Sequence, residues 1–296
     1  MKLKNSTGWA AYIFLTPALS AIFIFFFIPV LAAFLMSFTD FDIYALSDFS
    51  RARFIGLENY TKLLNDPLFW KALGNTFYFV AIGGPLSILV SLLAAILLNI
   101  KLIKFKSIFR LSYFMPVVTT LVAVAIVWRF IYHPKFGILN YLLSFLGIGH
   151  IDWLGNPYTS MPAIILMSIW KNFGYNMIIF IAGLQNIPEY LYEAATLDGA
   201  NKWQQFKNIT LPMLAPTFLF VTVITMIGFF QVFAEPYIMT QGGPLDSTLT
   251  IVLYMYREGF RWWNMGYSAA IAFVLFLIIF IGTLIQFKLQ KKSALS

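Results

Sequence analysis

The chain has no cysteine among its 296 residues, and only 11% of them are Asp, Glu, Lys or Arg. Without thiols there is no disulfide framework, no thiolate nucleophile and no Cys-based metal site. Water-soluble domains carry about 25% charged residues, so a chain this poor in charge is not surfaced for water. Histidine is scarce as well. His133 and His150 stand alone, without a second ligand at helical spacing, and read as loop residues rather than metal sites. No Gly-x-x-x-x-Gly-Lys-Ser/Thr phosphate loop occurs, so the chain is not expected to bind or hydrolyse ATP. No pair of acids lies inside an apolar run, as an embedded protease or proton relay would require. These absences point to a non-enzymatic protein with no cofactor, metal or catalytic residues of its own.

What the chain has in abundance is apolar surface: 60% hydrophobic and 19% aromatic residues, including 32 Phe and 8 Trp. Such a surface suits lipid, or helices packed within lipid. Crossing the hydrocarbon core takes roughly 20 apolar residues at about 1.5 Å of rise each. Six runs reach that length: 11–36, 75–99, 111–132, 160–184, 212–235 and 267–288. The expected fold class is an all-α polytopic membrane protein with six transmembrane helices. The first run is too long for a signal-peptide core and has no clear small-residue cleavage site before Asp40, so it is expected to be retained. Residues 1–74 then form an N-terminal helix with an external loop, residues 75–288 a five-helix domain, and residues 289–296 a tail.

The net charge of +8 is distributed as membrane proteins distribute it, in short segments flanking apolar runs, and does not call for nucleic acid. With the N-terminus in the cytosol, the inside segments 1–10, 100–110, 185–211 and 288–296 hold 11 Lys/Arg against seven in the longer outside loops. Segment 100–110 alone has four basic residues and no acid. The positive-inside rule therefore predicts that both termini and the 185–211 segment are cytosolic. External aromatics such as Trp153, Trp262 and Trp263 suit interfacial anchoring.

The polar segment 185–212 interrupts two strongly apolar runs. Asn186-Ile187-Pro188-Glu189 reads as a helix start, Glu189 to Leu197 as a short helix, and Gly199 as the left-handed residue that ends it. A second helix-compatible stretch runs from Ala200 to Ile209 before Pro212. Two short helices with a glycine corner are expected, with Ala194 and Ala195 admitting close approach beside the charges of Glu193 and Asp198. An amphipathic loop on the membrane surface is the simpler alternative, and Trp203 with Phe206 would suit it.

Glu193-Ala194-Ala195, three residues, Gly199, nine residues, then Ile209-x-Leu211-Pro212 resembles the EAA loop of ABC importer permeases without departure from its pattern. Asp198 and Ala200 extend the match to the Asp-Gly-Ala form of the sugar-transporter branch. Phe54–Tyr60, Gly74-Asn75-Thr76, Ala182–Gln185 and Thr240–Pro244 also resemble that branch, in order and spacing. The resemblance covers nearly the whole chain. It implies a type I ABC importer permease fold, similar to the first-subunit type of the maltose, lactose, multiple-sugar and glycerol 3-phosphate systems, located in a bacterial or archaeal cytoplasmic membrane. It implies a second permease subunit as heterodimeric partner, two cytosolic nucleotide-binding subunits that use the ATP, and an extracytoplasmic solute-binding protein. The large external insertion of the maltose-system subunit is absent here, so contacts to a binding protein are not carried over.

Within the spans, Lys171 lies mid-run beside Asn172, with Asn176 one turn on, and Glu235 is its possible ion-pair partner at the outer end of the fifth run. Gln231 and Phe233 fall near them in sequence. Polar side chains with flat aromatic faces suit a carbohydrate, so these six residues are candidates for the substrate pathway. A purely structural Lys171–Glu235 pair is the competing reading. The expected cargo is a di- or oligosaccharide, with glycerol 3-phosphate as an alternative that Lys171 hints at. Among other classes, an ion-coupled secondary transporter would be expected to show inverted repeats and broken helices, and a membrane enzyme would need a convergent catalytic cluster.

Overall fold

The computed structural model describes residues 6–48, 51–100 and 104–293. Lys2, Lys4 and Lys101, which entered the orientation argument, and the end of the 289–296 tail lie outside the described residues. Regular structure is helical, and among the described residues the one β-type pairing is an isolated bridge between Thr39 and Phe54. Five continuous apolar stretches are long enough to cross a bilayer: Tyr12–Met36, Pro67–Asn99, Ser160–Gln185, Ala215–Met239 and Met265–Leu289.

The third run departs from expectation. Residues 111–132 are not one straight helix but part of a pair, α5 (Lys106–Val118) and α6 (Leu121–Ile131), bent by 99°. Thr119 and Thr120 between them are both extended, with ψ of 146° and 134°. Pro116 has no N–H to continue the helical ladder, and β-branched residues favour extended backbone. The Thr119 hydroxyl then donates to the Pro116 carbonyl at 2.6 Å, satisfying a helix end left open by the break.

The chain divides into two compact units. The first comprises residues 1–66 and 255–275. In it α1 (Ser6–Ile22) passes through a π-helical turn, Phe23–Phe27, into α2 (Ile28–Met36). None of the apolar window within Tyr12–Met36 is buried against protein, as expected of a helix whose solvent is lipid. Beyond it, Asn59 on α3 (Glu58–Leu64) donates to the Ser37 and Thr39 carbonyls, both at 2.9 Å. Arg53 pairs with Asp40 at 3.0 Å, and the Tyr267 hydroxyl donates to Asp66 at 2.8 Å.

The second unit, residues 67–254 and 276–296, is built on α4 (Pro67–Asn99), α8 (Ser160–Gln185) and α12 (Ala215–Phe230). Ile88, Leu92, Ala95 and Leu98 recur every three or four residues on α4, and Met177, Phe180, Ile181 and Leu184 follow at three, one and three on α8. That spacing gathers each set on one helical face. The two faces pack together, with Leu214 and Val221 closing the core. Helix α5 crosses α8 at Gly174, where any Cβ would collide with the Tyr113 carbonyl oxygen. Small residues at such crossings let membrane helices approach backbone to backbone.

The bent pair leads into α7 (Ile138–Ser144). The buried Asn140 side chain donates to the carbonyls of Pro134 (3.0 Å) and Ile151 (2.8 Å), and accepts from the Trp153 indole at 2.9 Å. One amide therefore organises the whole connection to α8. After α12 come the short helices α13 (Ala234–Met239) and α14 (Ile251–Tyr256), and finally α15 (Met265–Ser293).

Candidate functional site

Two regions of the second unit carry the sequence candidates. The first is the polar segment between α8 and α12. Asn186 closes α8 rather than opening the next helix, its N–H bonding to carbonyls of the α8 end. Pro188, with extended backbone, then starts α9 (Glu189–Leu197). Gly199 has φ +81°, the left-handed conformation expected of it. The second helix begins at Lys202 rather than Ala200, because Asn201 and Gln204 form a reciprocal capping box: the Asn201 side chain accepts from the Gln204 N–H at 2.9 Å, and Gln204 accepts from the Asn201 N–H at 2.7 Å. This α10 (Lys202–Gln205) continues through a π turn, Phe206–Thr210, into α11 (Leu211–Met213).

The two halves are stitched together. Gln205 donates to the Thr196 hydroxyl at 2.9 Å and to the Ala200 carbonyl at 3.2 Å, and the Tyr192 and Thr210 hydroxyls share a hydrogen bond of 2.8 Å. Leu191, Tyr192 and Ile209 pack inward against the α4–α8 core. Glu193, Ala194, Asp198 and Gly199 are exposed, as are Leu211 and Pro212, while Ala195 and Ile209 are half-buried. The motif residues thus divide into an outward face and an anchoring face. Sequence reading missed two members of the outward face, Tyr190 and Leu197; Leu197 is 90% exposed although apolar. The sequence shows Leu197 beside Asp198, but its exposure is set by how α9 packs on the core.

The second region is a cavity of about 250 Å³ among α4, α8, α12 and α13. Of the sequence candidates, Asn172, Asn176 and Glu235 line it. Gln231 is exposed outside it, and Phe233 stacks on Tyr237 at 5.2 Å instead. Lys171 donates to the Val117 carbonyl at 3.0 Å, tying the end of α5 to α8. Lys171 and Glu235 interact electrostatically, but among the described residues they form no direct ion pair. The simple structural pair is therefore replaced by a lysine held by a carbonyl and a carboxyl at the cavity wall.

Ser168, Tyr175, Thr225 and the rings of Phe79 and Phe229 complete the lining. Asn176 donates to the Thr225 hydroxyl at 2.9 Å and Asn172 to the Ser168 carbonyl at 2.8 Å. The buried Ser168 hydroxyl lies beside the Glu235 carboxyl at the cavity wall. The signal for Ser168 and Tyr175 was present in the sequence: with Asn172 and Asn176 they follow one another at intervals of four, three and one along α8, a single polar stripe. The lining combines amide and hydroxyl groups with the Glu235 carboxyl and two aromatic faces.

A polytopic helical bundle with a polar-aromatic cavity and a stitched, exposed loop defines a membrane transport subunit. Residues 10–294 match the family described as "Binding-protein-dependent transport system inner membrane component", and the chain belongs to that family. It is therefore a permease and not an enzyme, and the resemblance drawn from its loop holds for the chain as a whole. Among its relatives, the arabinooligosaccharides transport system permease protein AraP of Bacillus subtilis is 39% identical over 95% of this chain and 88% of its own length. The lactose transport system permease protein LacF of Rhizobium radiobacter is 36% identical over 95% and 92%. In fold, the chain superposes on a bacterial ABC transporter involved in the import of alginate, with a TM-score of 0.80 at 24% identity, covering 96% of each chain.

Proposed function

We propose that this permease forms one half of the translocation pathway of an ATP-driven importer for a di- or oligosaccharide, and that ATP energy enters through the 193–212 loop. The single observation that carries the coupling role is the loop's construction: its anchoring face is packed into the α4–α8 core, while Glu193, Ala194 and Asp198 face outward. A docking subunit that moved the outward face would drag the α4–α8 core with it. The sugar cargo is supported by the relatives named for arabinooligosaccharide and lactose transport, and by the polar and aromatic lining of the 250 Å³ cavity. Lys171, the feature that favoured glycerol 3-phosphate, directs its amine at the Val117 carbonyl, which weakens that alternative.

In this reading two nucleotide-binding subunits dock on the cytosolic loops of this chain and a second, different permease, and an extracytoplasmic binding protein delivers the solute. Both termini lie in the cytosol, as the distribution of Lys and Arg favours. Nucleotide-driven closure biases two packings of the bundle, inward-facing and outward-facing. Glu193→Lys reverses charge on the outward face and Gly199→Pro is incompatible with φ +81°. Both variants are expected to reach the membrane at parental levels and to lose solute uptake. Uptake at the parental rate by either one would remove the coupling assignment.

A further inference from the structure

Pro116, Thr119 and Thr120 explain why the helical ladder stops between α5 and α6, but a stop leaves the angle between the two pieces open. A bend of one angle, 99°, needs a contact from another element. Helix α8 supplies one. Its Lys171 is 8% exposed, and the amine donates to the Val117 carbonyl at 3.0 Å. That carbonyl belongs to the last turn of α5, where the final carbonyls have no partner within the helix and a cation is favourable.

A buried ammonium is costly unless its charge is answered. Glu235, also 8% exposed, answers it electrostatically from the first turn of α13. The Ser168 hydroxyl lies beside the Glu235 carboxyl. Ser168 and Lys171 are three residues apart and so share a face of α8. One turn of α8 therefore meets two interruptions, α5–α6 at Thr119–Thr120 and α12–α13 at Gln231–Phe233. Beyond them α6 and α13 pack on each other, and the Arg129 guanidinium donates to the Ile238 carbonyl at 3.5 Å. Val117 and Glu235 line the 250 Å³ cavity, whereas Lys171 does not. Its amine acts on the cavity through the groups it holds.

We propose that Lys171 is a positioning residue: with Glu235 as its counter-charge, it fixes the angle of the α5–α6 bend and with it the cavity wall formed by Val117 and Glu235. Charge balance alone would require only the two charged groups. Positioning also requires the bond to Val117, and the two roles separate on that point. This role lies beyond the transport reading, because it concerns the shape of the chain by itself.

The test is a distance measurement by double electron–electron resonance on the full chain in lipid nanodiscs. Because the chain has no cysteine, spin labels can be attached at Ile108→Cys and Phe130→Cys alone, positions that are 60% and 63% exposed. At about 1.5 Å of rise per residue, the 99° bend puts these positions roughly 20 Å apart, and an unbent helix would put them about 33 Å apart. The parent should give one narrow distribution near the shorter distance. Lys171→Met is expected to spread it toward the longer one, over as much as about 13 Å, and Lys171→Arg, which keeps charge and donor, to keep it narrow. Lys171→Met with Glu235→Gln removes both charges. It should regain the heat resistance lost in Lys171→Met, because no buried charge is left unanswered, and yet keep the broad distribution. Should the single variant fail to accumulate, the double variant carries the same readout. A parental distribution in Lys171→Met means that packing sets the bend, and its return in the double variant means that charge balance suffices; either result overturns the proposal. Neither solute nor ATP enters the measurement, so failure of the transport reading would leave these outcomes unchanged.

Discussion

Replacing Gly174 by alanine adds one methyl group at the point where α5 lies on α8. The added Cβ would sit far inside van der Waals contact of the Tyr113 carbonyl oxygen, with the Phe114 Cα also close, at 3.2 Å. Both obstacles are backbone, so no side chain can swing aside, and α5 must retreat by roughly 1 Å or more. A gap of that size forfeits about a quarter to a half of the dispersion attraction at each contact it opens. Overpacking of this kind costs about 1–3 kcal/mol, and the backbone obstacle puts Gly174→Ala at the upper end, about 3 kcal/mol. The gain from alanine's better helix propensity, about 1 kcal/mol, offsets only part.

Two other glycines make the control series. At Gly183 the new methyl meets the Thr217 hydroxyl at 2.6 Å and a Leu214 methyl at 2.9 Å, side chains that can rotate. At Gly84 it meets nothing within 4 Å. The expected order of stability is Gly84→Ala above Gly183→Ala above Gly174→Ala, read as the fraction of monodisperse protein surviving a heating series in detergent. Lys171 also ties α5 to α8, through Val117, so the Gly174 variant should lose activity as well as stability. If Gly174→Ala survives heating as well as Gly84→Ala, the glycine-mediated crossing is wrong.

Two further substitutions test local architecture. Asn140→Ala removes the side chain that joins Pro134, Ile151 and Trp153, at a cost of about 2–4 kcal/mol; limited proteolysis should then cut within residues 131–159 while α8 stays protected, and an unchanged digest would count against the amide as organiser. Asn201→Ala breaks the capping box at about 1 kcal/mol, so amide hydrogen exchange across α10 should quicken by about fivefold, whereas unaltered exchange would mean that packing alone sets that helix.

How far these features could be read from sequence depended on whether they were local. The spans were legible because lipid demands about 20 consecutive apolar residues and nothing else in a chain looks like that. The glycine corner was legible because φ +81° at Gly199 is a demand on one residue. The break at Thr119–Thr120 was missed because residues 111–132 are apolar throughout, and hydropathy does not register that Pro116 and two β-branched residues stop the ladder. The cavity was half legible. Asn172 and Asn176 were found as polar residues in an apolar run, but Gln231 and Phe233 were grouped with them by sequence proximity alone. The backbone turns between Phe230 and Ala234, which sends Gln231 to the exterior and leaves Glu235 at the wall. Thr225 and Phe79 could not be assigned because their role depends on which helices meet.

The hydrogen bonds from Gln205 to Thr196 and between Tyr192 and Thr210 have a kinetic consequence for assembly. Fixing a flexible residue costs about 1–2 kcal/mol of backbone entropy, so a floppy segment of this length would surrender much of its contact energy to becoming ordered. Here that ordering is completed when the chain folds. A partner docking as proposed would meet a finished shape, and its residence time would be set by the contacts it makes with the outward face rather than by the folding of the surface it meets.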